Sequence, residues 1–421
     1  MEKVRGVPLD TVWAGLDLAS KWAVTQAVAE LEKDWSSAEF YGYGSLYHAS
    51  DLDMSTRQIR QPQLQPESAQ QDQDFVLGPT TGREWNSHGE SDIQFDRGPC
   101  EYSLSSQRSR KAANSNLGNT AEEYMTAAGE RELTCVEKVT KLPPSLLTLR
   151  GPNIYETSRE KKSAAIQWYL ELVPHLMSVD LAFNKPCIWH PDLHAENIFV
   201  DPSNPTEITS IIDWQSTQVA PIFSQARQPY FLDYEGPQQF SIEEPELPEI
   251  FQQLSNAEKR KANTSLINQG LLAAYRRWHH FENPDIWGCL EFRQTSRYTL
   301  PLIARNLLVD GEATFMARVV ELAKTKPELL GAAGQRILSS LGPEDLKQIE
   351  KDSVDAFEGM NVMQNVLEAT GDIAPKHGVV SHENYEEMKC ALRQLKEQIM
   401  KKYAQTEEEK ARWEEAWPFD D

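Results

Sequence analysis

His190, Asp192, Asn197 and Asp213 are residues whose types and spacing could do chemistry together. The first three lie in His190-Pro191-Asp192-Leu193-His194-Ala195-Glu196-Asn197, and the fourth closes the apolar run Ile211-Ile212. Phosphoryl transfer asks little covalent work of a protein. It needs a carboxylate to take up or orient the acceptor hydroxyl, and oxygen ligands for magnesium between phosphate groups. Asp192, Asn197 and Asp213 supply groups of those kinds.

The elements around these residues should bring them together. A helix is expected from Ser158, with Ile166, Tyr169, Leu170, Val173, Leu176, Met177 and Leu181 on one face and a kink at Pro174. It delivers the chain to the short apolar run Cys187-Ile188-Trp189 and then to the loop, which Pro191 keeps out of a regular helix. Beyond it, Ile198-Phe199-Val200 and residues 208–212 are short β-branched runs separated by Asp201-Pro202-Ser203-Asn204-Pro205, a turn-forming sequence. A hairpin follows from that pattern. It leaves Asp192 and Asn197 at opposite ends of one loop and returns Asp213 beside them, in one acidic pocket.

This arrangement resembles the catalytic loop and following Asp of protein kinases, and more closely the aminoglycoside phosphotransferase/choline kinase family, whose loop reads like His-x-Asp-Leu-His. The resemblance implies an α+β, protein-kinase-like fold, mainly the helical C-terminal lobe with a catalytic β-hairpin. It implies Asp192 as catalytic base, His190 as a loop-bracing residue, and Asn197 and Asp213 as ligands of magnesium and so of its nucleotide. The implied activity is ATP-dependent transfer of a phosphoryl group to a hydroxyl of a small molecule, with Mg2+ and ATP as cofactors.

Met1-Glu2-Lys3-Val4, Tyr43-Gly44-Ser45-Leu46, Gly78-Pro79-Thr80-Thr81, Asp96-Arg97-Gly98-Pro99 and Trp417-Pro418-Phe419 are similar to one subfamily, altered inheritance of mitochondria protein 9. That resemblance implies a mitochondrial location, with cytoplasmic as the alternative because no presequence is visible in this chain. It also puts Met1 to Val4 on the interlobe hinge. The ATP-gripping lobe is therefore expected to be missing, and neither Gly-x-x-x-x-Gly-Lys-Ser/Thr nor Gly-x-Gly-x-x-Gly replaces it. Weak nucleotide binding and slow transfer, or none at all, by this chain are expected, with an inactive pseudokinase or interaction protein, or an incomplete gene sequence, as alternatives.

The rest of the chain sets the frame. Residues 1–243 read as the catalytic part and 244–421 as a helical C-terminal part of the same lobe, with polar insertions at 53–74 and about 103–119 expected to be disordered. Met1-Glu2-Lys3-Val4 followed by Gly6-Val7-Pro8-Leu9 reads as the end of a strand and a turn. Asp17 caps a helix carrying Val24, Ala27, Val28, Leu31 and Trp35. Gly42-Tyr43-Gly44 reads as a structural turn, since it has no third glycine and follows a helix. Further helices are expected over Asn256 to His280, Pro343 to Thr370 and His382 to Lys402.

A net charge of -22 over 421 residues argues against nucleic acid as partner, because the overall field repels phosphate. It suits a solvated acidic surface or a cationic small substrate. No apolar run is long enough to span a bilayer. The five cysteines contain no Cys-x-x-Cys pair and read as reduced. Cys187, His190 and His194 invite a zinc reading, which Pro191 opposes by breaking the helix that would align the two histidines. Trp278, His279, His280 and Trp287 read as helix packing, and oligomeric state is left open.

Overall fold

The computed structural model describes residues 3–40, 42–51, 75–78, 80–81, 120–177, 181–234, 236, 240–371, 380 and 382–419. The polar insertions expected at 53–74 and about 103–119 lie outside the described residues. The architecture is mixed helix and strand, mostly helical, with small antiparallel sheets.

In chain order, the first elements are β1 (Val7–Pro8), α1 (Leu9–Trp13), α2 (Leu18–Ser37), β2 (Ser45–His48), β3 (Phe75–Gly78), α3 (Ala121–Lys138) and α4 (Arg159–Leu176). Next come β4 (Pro186–Ile188), β5 (Ile198–Asp201), β6 (Asn204–Ile211), β7 (Val219–Pro221), α5 (Ile222–Gln225), α6 (Asn256–Glu282) and α7 (Pro284–Phe292). The chain continues through α8 (Ser296–Ala304), α9 (Glu312–Thr325), α10 (Pro327–Ser340), α11 (Pro343–Ala369), α12 (Tyr385–Tyr403) and α13 (Glu407–Ala416). By contacts the chain divides into two units, one of Met1–Glu90, Pro99–Tyr124 and Ser178–Thr295, the other of Ser91–Gly98, Met125–Met177 and Ser296–Asp421. Each draws residues from both sides of the Met177/Ser178 boundary.

Among the described residues, all seven strands fall in the first unit. β5 and β6 form the expected antiparallel hairpin, with Ile198 opposite Ile211 and Asp201 opposite Asn204. The turn closes because Asp201 Oδ1 accepts the Ser203 and Asn204 backbone N–H groups at 2.7 and 3.3 Å, an Asx turn. β1 adds a third strand beside β5. Val7 and Pro8, in the stretch expected to be a turn, are strand and pair with Val200 and Phe199, while Met1 and Glu2 of the expected strand end lie outside the described residues. Alternation along β5 sends Ile198 and Val200 into a core with Leu9, Val24, Val28 and Leu193.

Helix α2 starts where its cap dictates: the Asp17 carboxylate accepts the Ser20 N–H at 2.7 Å, satisfying one of the otherwise unpaired donors of the first turn. α6 starts at a capping box of Ser255 and Glu258. Between α2 and α6 the fully buried Glu32 accepts from Tyr275 Oη at 2.7 Å and lies 3.1 Å from His279 Nε2. Gly44 has φ 150 and exchanges both backbone bonds with Val219, so the Gly42-Tyr43-Gly44 segment is a turn built into β-structure. A Cβ at Gly44 would collide with the Gly78 carbonyl.

In the second unit, α4 is capped by Ser158, whose side chain accepts the Lys161 N–H at 3.2 Å. Pro174, where a kink is expected, sits in the last turn of α4, which ends at Leu176. Lys162 and Glu312, both fully buried, pair at 2.8 Å, and Lys162 Nζ also donates to the Leu307 carbonyl at 2.7 Å. A second cluster, including Leu149, Tyr155, Met363, Val366, Leu392 and Trp413, packs the C-terminal helices. The helices expected over Asn256 to His280, Pro343 to Thr370 and His382 to Lys402 match α6, α11 and α12 to within a few residues.

Candidate active site

The loop leaves β4 at Ile188 and enters β5 at Ile198, so both of its ends are tied to strands of the first unit. Its brace is His190, 2 % exposed. The His190 Nδ1 accepts the Asp192 backbone N–H at 3.2 Å, and Nε2 lies 2.8 Å from the Ile212 carbonyl oxygen. A ring nitrogen that accepts is unprotonated, so this network assigns the proton to Nε2, which donates to Ile212. Burial pulls the His190 pKa below its ordinary 6.5, although the Ile212 carbonyl, Asp192 and Asp213 all favour the charged form. The ring is a neutral strut, with both carboxylates near enough to act on it.

Asn197 is held from three directions. Its Nδ2 donates to the Asp192 carbonyl at 2.8 Å, its N–H donates to the His194 carbonyl at 3.1 Å, and its own carbonyl accepts from Ile212 N–H at 2.9 Å. With Nδ2 committed, Oδ1 remains as the acceptor end of the amide. Ile212 thus binds the loop twice, through its carbonyl to His190 and through its N–H to Asn197. Asp213 follows directly, exposed and at φ 66. Left-handed backbone at a non-glycine residue costs about 1 kcal/mol or more and is found disproportionately at functional sites. Trp214 locks the far side: its indole N–H donates to the Ile211 carbonyl at 3.0 Å and its ring meets His190 and Trp35 edge-on at 4.8 and 5.2 Å.

The structure therefore joins Asp192 to Asn197 by a direct bond and brings Asp213 to them through the main chain of Ile212. Asp192 itself is partly exposed, with Oδ1 3.0 Å from His194 Nε2. Sequence reasoning missed what lies behind His194. The Tyr230 ring stacks on the imidazole at 4.1 Å and 14°, and the Arg227 guanidinium sits 3.5 Å over the same tyrosine ring. No local spacing signals that neighbourhood; the 3-10 turn Tyr230–Leu232 reaches the loop by tertiary folding, through a bond from Tyr230 N–H to the Leu193 carbonyl at 3.1 Å.

The donor set can be tested against candidate metals. Zinc is disfavoured, because burial pushes the Cys187 thiol up to about 12 and both nitrogens of His190 are engaged. Among the described residues no group of three or more His, Cys, Asp and Glu could hold a metal by itself. Asn197 Oδ1 and the Asp213 carboxylate are hard oxygen donors. Two such ligands suit Mg2+, which keeps several waters and takes its remaining ligands from substrate phosphates.

Comparison with known proteins points the same way. Residues 146–224 match the model of a phosphotransferase enzyme family, a stretch containing α4, the whole loop and the hairpin. Over that stretch the chain is phosphotransferase-like, and the resemblance to the aminoglycoside phosphotransferase family holds. Two subtelomeric hrmA-associated cluster proteins, from two strains of Aspergillus fumigatus, are each 31% identical over 274 residues, covering 62% of this chain and 51% of theirs. Altered inheritance of mitochondria protein 9, mitochondrial, of Candida glabrata is 26% identical over 254 residues, covering 58% of this chain and 36% of that protein. The chain spans about half the length, or less, of these curated relatives. No solved structure matches. Among the described residues no helix is long and apolar enough to cross a membrane.

Proposed function

We propose that this chain carries the acceptor-activating and metal-holding part of an ATP-dependent phosphotransferase that acts on a hydroxyl of a small molecule, on the helical lobe of a kinase-like fold. The observation that carries the reading is the double tie of Ile212 to His190 and Asn197, which anchors Asp213 beside the loop of Asp192. Asp192 takes the proton of the acceptor hydroxyl as its oxygen bonds to the γ-phosphorus. The bond from that phosphorus to the β,γ-bridging oxygen breaks, and ADP leaves with the electron pair.

Asn197 and Asp213 would hold Mg2+, which supplies charge neutralisation at the β- and γ-phosphate oxygens when bound. His190 keeps Asp192 and the Asp213 strand in register and, being neutral, adds no charge of its own. A mitochondrial location is proposed from the likeness to the Candida glabrata protein.

The test uses Mn2+ as a paramagnetic stand-in for Mg2+ with ATP, followed by NMR of the purified chain. Broadening of the Asn197 side-chain amide that requires nucleotide and disappears in Asp213→Ala is expected. Broadening that survives Asp213→Ala, or that centres elsewhere, would overturn the metal assignment.

A further inference from the structure

Asp192 is partly exposed, and a carboxylate on a loop turns freely unless something holds it. The first holder is His194, with Nε2 3.0 Å from Asp192 Oδ1. His194 is itself half-exposed, so its imidazole needs a support. That support is a layered stack: His194 lies nearly parallel to Tyr230, with ring centroids 4.1 Å apart and planes at 14°, and the Arg227 guanidinium carbon lies 3.5 Å from the Tyr230 centroid. Stacked rings and a cation against an aromatic ring are both attractive geometries.

Arg227 is anchored in turn. Its Nη2 lies 3.3 Å from Asp233 Oδ2, its Nε donates to the Gln228 carbonyl at 3.2 Å, and Gln228 Nε2 donates to Asp233 Oδ1 at 2.8 Å. The turn carrying Tyr230 is docked on the catalytic loop itself, by the bond from Tyr230 N–H to the Leu193 carbonyl at 3.1 Å. Phe231, the next residue, packs on the cluster that contains buried Leu193 and meets Trp13 edge-on at 5.2 Å. The chain of contacts runs Asp233, Arg227, Tyr230, His194, Asp192 without a gap.

We propose that Tyr230, clamped by Arg227, is a positioning residue of the transfer site: its ring holds the His194 imidazole in the plane that fixes Asp192 Oδ1, and with it the direction of Oδ2. This rests on the reading of Asp192 as the base that meets the acceptor hydroxyl. The ring alone does the holding, so the phenol oxygen is dispensable and phenylalanine suffices. Proton uptake in the transition state depends on the base's alignment, and a small misplacement can cost up to on the order of a hundredfold in rate. Nucleotide binding does not pass through this stack. The effect should fall on kcat and leave the KM for ATP in place.

The experiment compares Tyr230→Leu, Tyr230→Phe and Asp192→Asn in the full chain, reading steady-state ATP turnover with Mg2+ and the ring-proton NMR shifts of His194. Expected are a kcat about tenfold lower in Tyr230→Leu at unchanged KM for ATP, and a kcat within about twofold of the parent in Tyr230→Phe. The His194 ring protons, displaced upfield by the stacked ring, should move back in Tyr230→Leu and stay in Tyr230→Phe. Equal kcat in the two Tyr230 variants, or a His194 signal unmoved in Tyr230→Leu, overturns the clamp. Turnover unaffected by Asp192→Asn overturns the underlying reading instead, which keeps the two failures apart. Tyr230 is partly exposed, so loss of its ring is not expected to unfold the chain, and an unchanged backbone amide spectrum checks this.

Discussion

His190 Nε2 and the Ile212 carbonyl oxygen lie 2.8 Å apart across 22 residues of sequence, and this one bond ties the loop of Asp192 to the strand that ends before Asp213. Replacing His190 by Ala leaves the Ile212 carbonyl and the Asp192 N–H without their partner. A loss of about 1–3 kcal/mol is expected for each such group that water does not reach. Urea denaturation should show a lower midpoint at unchanged slope.

The same ring gives a pH dependence. His190 has its folded pKa depressed by burial, so the unfolded chain binds the proton more tightly. Its contribution to stability is full above the ordinary 6.5 and is lost as the pH falls from there through the folded value. His190→Gln should remove that acid-side slope; an identical slope in the variant would contradict the assignment.

Glu32 has the opposite sign. Burial raises its pKa from 4.5 in spite of the His279 and Tyr275 contacts, so the folded chain holds this proton more tightly than the unfolded one. The contribution is full below 4.5 and is lost as the pH rises through the raised folded value. Glu32→Gln is expected to flatten this part of the stability profile, read by thermal melts in a buffer series.

Lys162 and Glu312 make the second unit sensitive to single substitutions. Glu312 is pushed up by burial, yet Lys162 and Arg150 outweigh this and hold it below its ordinary range, so it is ionised at neutral pH. Lys162→Met strands that carboxylate at full burial and is expected to cost about 3–5 kcal/mol, while Lys162→Met with Glu312→Leu costs less than the sum of the single changes. A double variant at or above the sum would contradict a coupled pair.

How much of this was legible in the sequence follows from the range of the interactions. The hairpin was readable because β-branched runs flank Asp201-Pro202-Ser203-Asn204-Pro205, and the caps of α2 and α4 because Asp17 and Ser158 act on residues three ahead. Asp192, Asn197 and Asp213 could be named as candidates from their types and spacing, which are local to the loop and hairpin, and His190 from the family resemblance. The bond from His190 to Ile212 could not, nor could the stack of Tyr230 on His194, since each depends on where distant turns come to rest. The pairing of Glu32 with His279 was illegible for the same reason: His279 reads only as a packing residue on its own helix, and nothing local to either helix names the other as its partner.

The central claim is that Asp192 is the base of a phosphoryl-transfer site. The most direct measurement is ADP formation from Mg2+ and ATP by the purified chain, over a panel of small hydroxyl compounds, for the parent and for Asp192→Asn. Asp192→Asn keeps the backbone bonds to His190 and Asn197 and removes only the basic carboxylate. Whatever the absolute rate of the parent, the variant is expected to be slower by on the order of a hundredfold or more, the usual contribution of a positioned general base. Equal rates of ADP formation above background in parent and variant would contradict the account.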